Sequence, residues 1–216
     1  MRKASSMMRY LCGVVILLAP AFANGEGFLD FAVGGAFTEN SDITFAAGGS
    51  RETAAVEFDD SFSSGVRGGY WFEELPWLGV GGMVSYFEPD LRVSAYDSIR
   101  FGVVPITALL MLRAPLLPSQ AVPRGQLQPY LNVGPGAFVT ATDDDQYDEA
   151  SVDVGVDVHA GATVMFTSHF GVFGEYRFTH YEANLDNDRD YDPYDISLES
   201  TLDTHHVVAG FAWHFD

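Results

Sequence analysis

The sequence predicts an all-β protein, an eight-stranded antiparallel transmembrane up-and-down β-barrel. Three observations carry that prediction. From 152 to 166 every second residue is apolar: Val152, Val154, Val156, Val158, Ala160, Ala162, Val164 and Phe166, with Asp153, Gly155, Asp157, His159, Gly161, Thr163 and Met165 between them. A period of two means an extended strand with unlike faces, and the run is as long as a tilted membrane-crossing strand needs. The connections between such strands alternate long and short, and aromatic residues gather near one set of strand ends, as in outer-membrane barrels. A bilayer offers no water to an open sheet edge, so the strands must close. Eight strands make a barrel just wide enough to be filled by its own side chains.

The first strand is expected over 28–38. Leu29, Phe31, Val33 and Phe37 form one face, and Asp30, Ala32, Gly34 and Ala36 the other. A long polar connection, 39–60, follows. The second strand, 62–71, sets Phe62, Val66 and Tyr70 outward and Ser63, Gly65, Arg67 and Gly69 inward. A tight turn at 73–76 leads to the third strand, 77–87, and 88–98 is a polar connection. The fourth strand, 100–113, is apolar on both faces and by periodicity alone reads equally as a buried helix.

A Pro-rich connection, 114–128, breaks the long-and-short alternation. The fifth strand covers 129–141, an acidic loop 142–150, and the sixth strand is the alternating run described first. A short turn, 167–169, precedes the seventh strand, 170–181, with Val172, Tyr176 and Phe178 outward and Glu175, Arg177 and Thr179 inward. A long acidic connection, 182–203, precedes the eighth, where Val207, Ala209, Phe211, Trp213 and Phe215 share a face. Tyr70, Trp71, Phe72, Trp77, Tyr130, Phe166, Phe170, Trp213 and Phe215 are expected to form the aromatic girdle at the short-turn end.

Residues 1–23 read as a signal peptide. Arg2, Lys3 and Arg9 form a basic start, 11–19 is an apolar core, and Ala21-Phe22-Ala23 is a small-x-small cleavage site. Residues 24–216 are then a single barrel domain. The whole chain carries 11 basic and 30 acidic residues, a formal charge of −19. Removing 1–23 takes away three basic residues and the only cysteine, Cys12, and leaves a net −22. That balance argues against nucleic acid and against basic docking on anionic lipid. A hydrophobic content of 47% with 14% aromatics excludes general disorder.

Four segments resemble a known family: Trp77-Leu-Gly-Val-Gly-Gly, Pro129-Tyr-Leu-Asn-Val-Gly-Pro-Gly, Gly174-Glu-Tyr-Arg-Phe-Thr-His-Tyr and Val208-Ala-Gly-Phe-Ala-Trp-His-Phe. Together and in this order they are similar to the small eight-stranded outer-membrane β-barrels, the OmpA-membrane-domain-like and opacity-like group. The resemblance covers nearly all of 24–216 and implies location in the cell outer membrane. The family closes on an aromatic residue recognised during assembly, whereas here Phe215 is followed by Asp216. The family has no single activity, so the resemblance does not carry one over.

The inward positions hold Asp30, Arg67, Asn132, Asp153, Asp157, His159, Glu175 and Arg177. Charges removed from water must pair, so this set reads as a polar plug, with Arg67, Glu175 and Arg177 set against Asp153 and Asp157. A catalytic or ion-conducting interior is the sharper alternative. A nucleophilic site needs Ser, His and an acid in mutual reach. His159 has only Asp157 beside it in sequence, His180 lies at a strand end, and His205-His206 follow Asp203; none forms a His-x-Ser arrangement. The expectation is therefore no enzyme and no cofactor.

Asp186, Asp188, Asp190, Asp192 and Asp195 could weakly bind a divalent ion, although a solvated acidic loop explains them as well. Pro105 and Pro135 lie on adjacent strands, where each removes a ladder donor. They mark a candidate lateral seam. The expected role is structural, or surface interaction through acidic extracellular loops. The expected partners are outer-membrane lipid, lipopolysaccharide and an extracellular surface partner, with the barrel a monomer. A narrow pore or a lateral path for small or apolar solutes is the alternative.

Overall fold

The computed structural model describes residues 25–47, 50–93, 96–142, 150–186 and 197–215. Residues 1–24, with the expected signal peptide, lie outside them. So do Asp188, Asp190, Asp192 and Asp195 of the acidic run, and the side chain of Asp186. Eleven strand segments follow one another: β1 Gly25–Thr38, β2 Ser41–Ala47, β3 Ser50–Asp59, β4 Ser61–Phe72, β5 Leu78–Phe87, β6 Asp90–Val93, β7 Tyr96–Arg113, β8 Leu127–Thr142, β9 Ala150–Met165, β10 Phe170–Asp186 and β11 Ser197–Phe215. Each pairs antiparallel with its neighbours, and β1 pairs with β11 from Gly27↔Phe215 to Thr38↔Thr204, which closes the barrel.

The eleven segments are eight staves. Ala36 pairs with Ser61 and Ser41 with Val56, so β2 and β3 continue the β1–β4 hairpin in one register past a break at 39–40 and 60. Val84↔Ile106 and Leu91↔Ile99 likewise keep one register, so β6 continues β5 beside β7. The stretches 39–60 and 88–98, expected as polar connections, are therefore mostly strand. Their alternation, Ile43 and Phe45 in β2, Val56 and Phe58 in β3 and Leu91 and Val93 in β6, is short and interleaved with charge, and so is weaker than that of a membrane-crossing strand. At this end β2 also pairs with β11, and β3 with β6, so the wall rises well above the barrel proper.

The other end is closed by the turns 73–77 and 166–169 and by the long connection 114–126. This connection folds back on the barrel mouth. Leu116 bridges to Leu127, Gln126 N donates to Leu117 O at 3.1 Å, and Met165 N donates to Gln126 O at 2.8 Å. Leu117 and Gly125 take positive φ, 55° and 96°, to make the folds, and Val122 is buried. A long connection at the short-turn end is thus accommodated as a cap.

Alternation places large apolar side chains on the outside, among them Phe31, Val33, Phe62, Leu110, Val207 and Phe211. Trp77, Phe166, Phe170, Trp213 and Phe215 stand exposed at the turn end, with Phe170 and Trp213 stacked at 6.3 Å. Trp71 and Tyr130 do not join that girdle. They are 5% and 8% exposed and point into the lumen, because Trp71 shares parity with Arg67, and Tyr130 with Asn132. β7 is a strand whose inner face, Val103, Pro105, Leu109 and Met111, packs into the lumen.

Candidate functional site

The lumen is filled in tiers. At mid-height Arg67 on β4 lies opposite Asp30 on β1 in the ladder. Its Nε and Nη2 donate to Asp30 Oδ2 at 3.0 and 2.7 Å, and its Nη1 donates to Glu175. Arg177 Nε also donates to Glu175. The Arg67 guanidinium sits 5.0 Å from the Tyr130 ring centre and 5.4 Å from that of Phe173, a cation–π arrangement. Asn132, oriented with its amide oxygen toward Arg67, accepts from Nη1 at 2.8 Å.

Asp157 stands above this tier and is held by hydroxyls. Thr107 donates to it at 2.5 Å and Thr179 at 2.6 Å. His159, fully buried, is 4.0 Å from both Asp157 and Glu175, too far for a hydrogen bond. Asp153 lies higher and accepts from Ser151 at 2.9 Å. At this height the carboxylates that meet arginine are Asp30 and Glu175. Asp157 and Asp153, expected in that role, point inward one and two tiers above the guanidinium groups.

His206, also inward, reaches Ser63 Oγ from Nδ1 at 3.1 Å and Thr179 Oγ1 from Nε2 at 3.4 Å. A Ser–His–Thr–Asp chain thus exists, and sequence spacing gave no sign of it. Ser63 and His206 are 0% and 3% exposed, beneath a roof of Ala36, Phe87, Val103, Phe138, Tyr181 and Leu202. The Phe87 ring meets His206 edge-on at 4.9 Å, and Phe138 stacks on Tyr181 at 4.5 Å. The chain can orient protons there, covered by that roof.

A second charged cluster, at the turn end, was not expected. Arg113 donates to Glu26, to Gln128 Oε1 at 3.1 Å and to Pro76 O at 2.8 Å, with its guanidinium 4.3 Å from the Trp71 ring centre. His214 Nδ1 lies 2.5 Å from Glu26, and Gln128 Nε2 donates to Gly125 O at 3.0 Å, which ties the 114–126 cap to the barrel mouth. Between the two clusters the lumen holds a void of about 10 Å³, lined by Asp30, Arg67, Trp71, Tyr130 and His214 among others. That is room for about one water. A larger void of about 230 Å³ lies at the turn-end mouth of the barrel, under the cap, against the buried Glu26, Gln128 and Met165 and against Val122, Pro123, Arg124 and Ser168.

On the outer wall, where the extension begins, His180 Nδ1 meets Asp203 at 2.6 Å, and His205 bridges Tyr176 at 2.5 Å and Glu39 at 2.8 Å. The prolines interrupt two seams rather than one. The β7–β8 ladder skips Ala108–Pro135 and Leu109–Gly134, while Pro105 keeps its place opposite Phe138. The pairs missing beside Pro105 are Ser85–Pro105 and Tyr86–Val104, on the β5 side. A strand residue directs its backbone N toward only one neighbour, and these two prolines direct theirs to different neighbours. Pro105 is buried and inward; Pro135 is exposed and outward.

A family model described as an outer membrane protein beta-barrel domain matches residues 10–215. No curated protein matches the chain in sequence. Among solved structures, the outer membrane protein OprG from Pseudomonas aeruginosa is 14% identical, with 89% of this chain and 96% of that chain covered and a TM-score of 0.64. Neisserial surface protein A, NspA, is 13% identical, with 89% and 100% covered and a TM-score of 0.53. At these identities the likeness is one of fold.

Proposed function

The chain belongs to the outer membrane protein β-barrel domain family, and from that membership we propose a non-enzymatic, non-conducting barrel that presents its extended end outside the cell as an interaction surface. The filled lumen carries this reading. Two charged clusters and an aromatic roof fill the lumen, with a void for about one water between the clusters and one of about 230 Å³ at the mouth, covered by the 114–126 cap. Among the described residues no open path then runs along the axis, and the Ser63–His206 pair is buried away from lipid. The orientation follows the family habit of short turns on the periplasmic side and long connections outside. The acidic extension stands among lipopolysaccharide phosphates, where divalent cations would screen like charge.

The test has two arms. Reconstituted in planar bilayers, the protein should give no single-channel steps; steady unitary conductance would refute the plug. Capture of surface partners by whole cells should depend on the extension, so a barrel with 41–59 deleted should lose it. Lipid A mass on expression should stay unchanged.

A second reading is favoured by the two interrupted ladders. Around 104–109, β7 lacks pairs on both sides, and that panel could yield sideways to an apolar solute. Cysteines at Ala108 and Pro135 would lock the β7–β8 side. An uptake phenotype abolished by oxidation and restored by reduction would favour this path over the sealed barrel.

A further inference from the structure

The wall splits on one side of the extended end. The β9–β10 ladder runs from Gly171↔Met165 up to Tyr181↔Gly155 and stops there. β9 continues to Ala150 paired only with β8, through Val152↔Val139 to Ala141↔Ala150. β10 continues to Asp186 paired only with β11, from Glu182↔Thr201 to Asp186↔Ser197. In an unbroken register Glu182 would face Val154 and Asp186 would face Ala150, yet none of these pairs forms among the described residues. Two strand edges thus confront each other, each with a row of backbone donors and acceptors that, among the described residues, has no ladder partner across the gap.

Packing fixes the depth of this fork. Phe138 and Tyr181 stack with their rings 2° from parallel just below it. Gly155 sits at the apex, where a Cβ would lie 2.3 Å from His180 O and 2.5 Å from Tyr181 Cβ. Above the apex, Val152 and Val154 turn outward, 67% and 77% exposed, more than any other aliphatic side chain described. Elsewhere on the barrel such exposure means lipid. Here the outward Glu182 shares the height of Val154, and Asp203 and Glu39 lie two residues lower around the wall, level with His180 and Val156, with Glu39 N donating to Asp203 O at 2.8 Å. A belt of carboxylates marks water, and apolar side chains standing in water mark a contact surface.

We propose that the β9–β10 fork accepts an extended, basic segment of a second polypeptide as an added strand, resting on the interaction reading above. Backbone pairing with a free edge would supply affinity, and alternate side chains specificity. Apolar side chains of the incoming strand would cover Val152 and Val154. Its charge follows from Glu182, Asp203 and Glu39 on the wall, and the sequences that continue the two edges are acidic as well: 143–149 has five acids and no base, and 187–196 has four aspartates and one arginine.

The test uses the full barrel in detergent micelles. Cysteines at Val154 and Glu182, which the register would place face to face, should zip the fork on oxidation, since a disulfide holds its Cα atoms about 4.4–6.8 Å apart. The probe is a fluorescent peptide of alternating Lys and Val; a control peptide replaces two Val with Pro, which cannot pair as a strand. The Lys/Val peptide should bind the reduced protein and bind the oxidised protein about tenfold or more weakly. The Pro control should bind neither. Val152→Lys with Val154→Lys, which needs no cross-link, should weaken binding by a similar factor while heat-modifiable gel mobility confirms a folded barrel.

Equal binding to the oxidised and reduced forms, equal binding of the Pro control, or no binding to the parent overturns the proposal. Dimers of the reduced double-cysteine variant that vanish on its oxidation would make the occupant a second copy and also overturn it. If whole-cell capture still depends on the extension while the fork is locked, the fork fails and the interaction reading stands.

Discussion

Replacing Arg67 by Met should destabilise the barrel more than any other single change to the lumen. The side chain is 3% exposed and donates to two carboxylates from a position with almost no water. Removing one member of a buried pair costs about 3–5 kcal/mol, chiefly because the charge left behind is unpaired. The two carboxylates are not equivalent. Glu175 retains Arg177, whereas Arg67 is the cation in contact with Asp30. Asp30 therefore bears most of the loss, and the expected cost is about 4 kcal/mol. Arg177→Ala leaves Glu175 bound to Arg67, so it should cost about 2 kcal/mol, the loss of a charged hydrogen bond.

A triple variant, Arg67→Met with Asp30→Asn and Glu175→Gln, should recover much of the loss, because no charge is then stranded. Urea unfolding in lipid vesicles, followed by tryptophan fluorescence and by gel mobility, measures all three. An Arg67→Met midpoint equal to the parent's, or an Arg177→Ala cost above that of Arg67→Met, would refute the reasoning.

Close approach of β8 to β7 predicts a steric contrast. A Cβ on Gly134 would lie 1.7 Å from Ala108 O, so Gly134→Ala should cost about 1–3 kcal/mol, whereas Gly174→Ala, with nothing within 4 Å, should leave the midpoint unchanged. Gly125 takes φ +96° in the cap, so Gly125→Ala should loosen the cap and cost about 1 kcal/mol by the same unfolding assay. Protease added to intact cells should cleave within 182–203 and spare 167–169; the reverse pattern would invert the barrel in the membrane.

Where bilayer and lumen impose opposite demands on the two faces, strands were legible to within a few residues. The alternating run 152–166 is β9, and the seventh strand begins at 170, as β10 does. Legibility failed where the bilayer ends. β2, β3 and β6 do alternate, with Ile43 and Phe45, Val56 and Phe58, and Leu91 and Val93 set against Asp42, Thr44, Glu57, Asp59, Asp90 and Arg92, but each run is short and rich in charge and so reads as loop. The girdle failed for a different reason. Nearness to a strand end does not say which way a ring points, but parity does. Counting four residues from the inward Arg67 puts Trp71 in the lumen, where it covers Arg113.

Parity also bounds what could be known of the lumen. It selects which residues point inward, but it does not say which of them meet, because that depends on register. For the first hairpin the register was nevertheless written in the chain. Ala47 pairs with Ser50, so the hairpin is centred between residues 48 and 49, and Gly48-Gly49 is a two-residue hairpin signal. Counting outward from that dipeptide sets Asp30 opposite Arg67, the pair found in the ladder. Reading 39–60 as a loop hides it and leaves Arg67 to the aspartates of β9. No comparable signal existed for Glu26, Arg113 and His214. They come from three distant staves, and they meet only because the barrel closes β11 onto β1, bringing His214 opposite Phe28 and beside Glu26. A contact made by closure belongs to no hairpin, so counting along the chain cannot reach it.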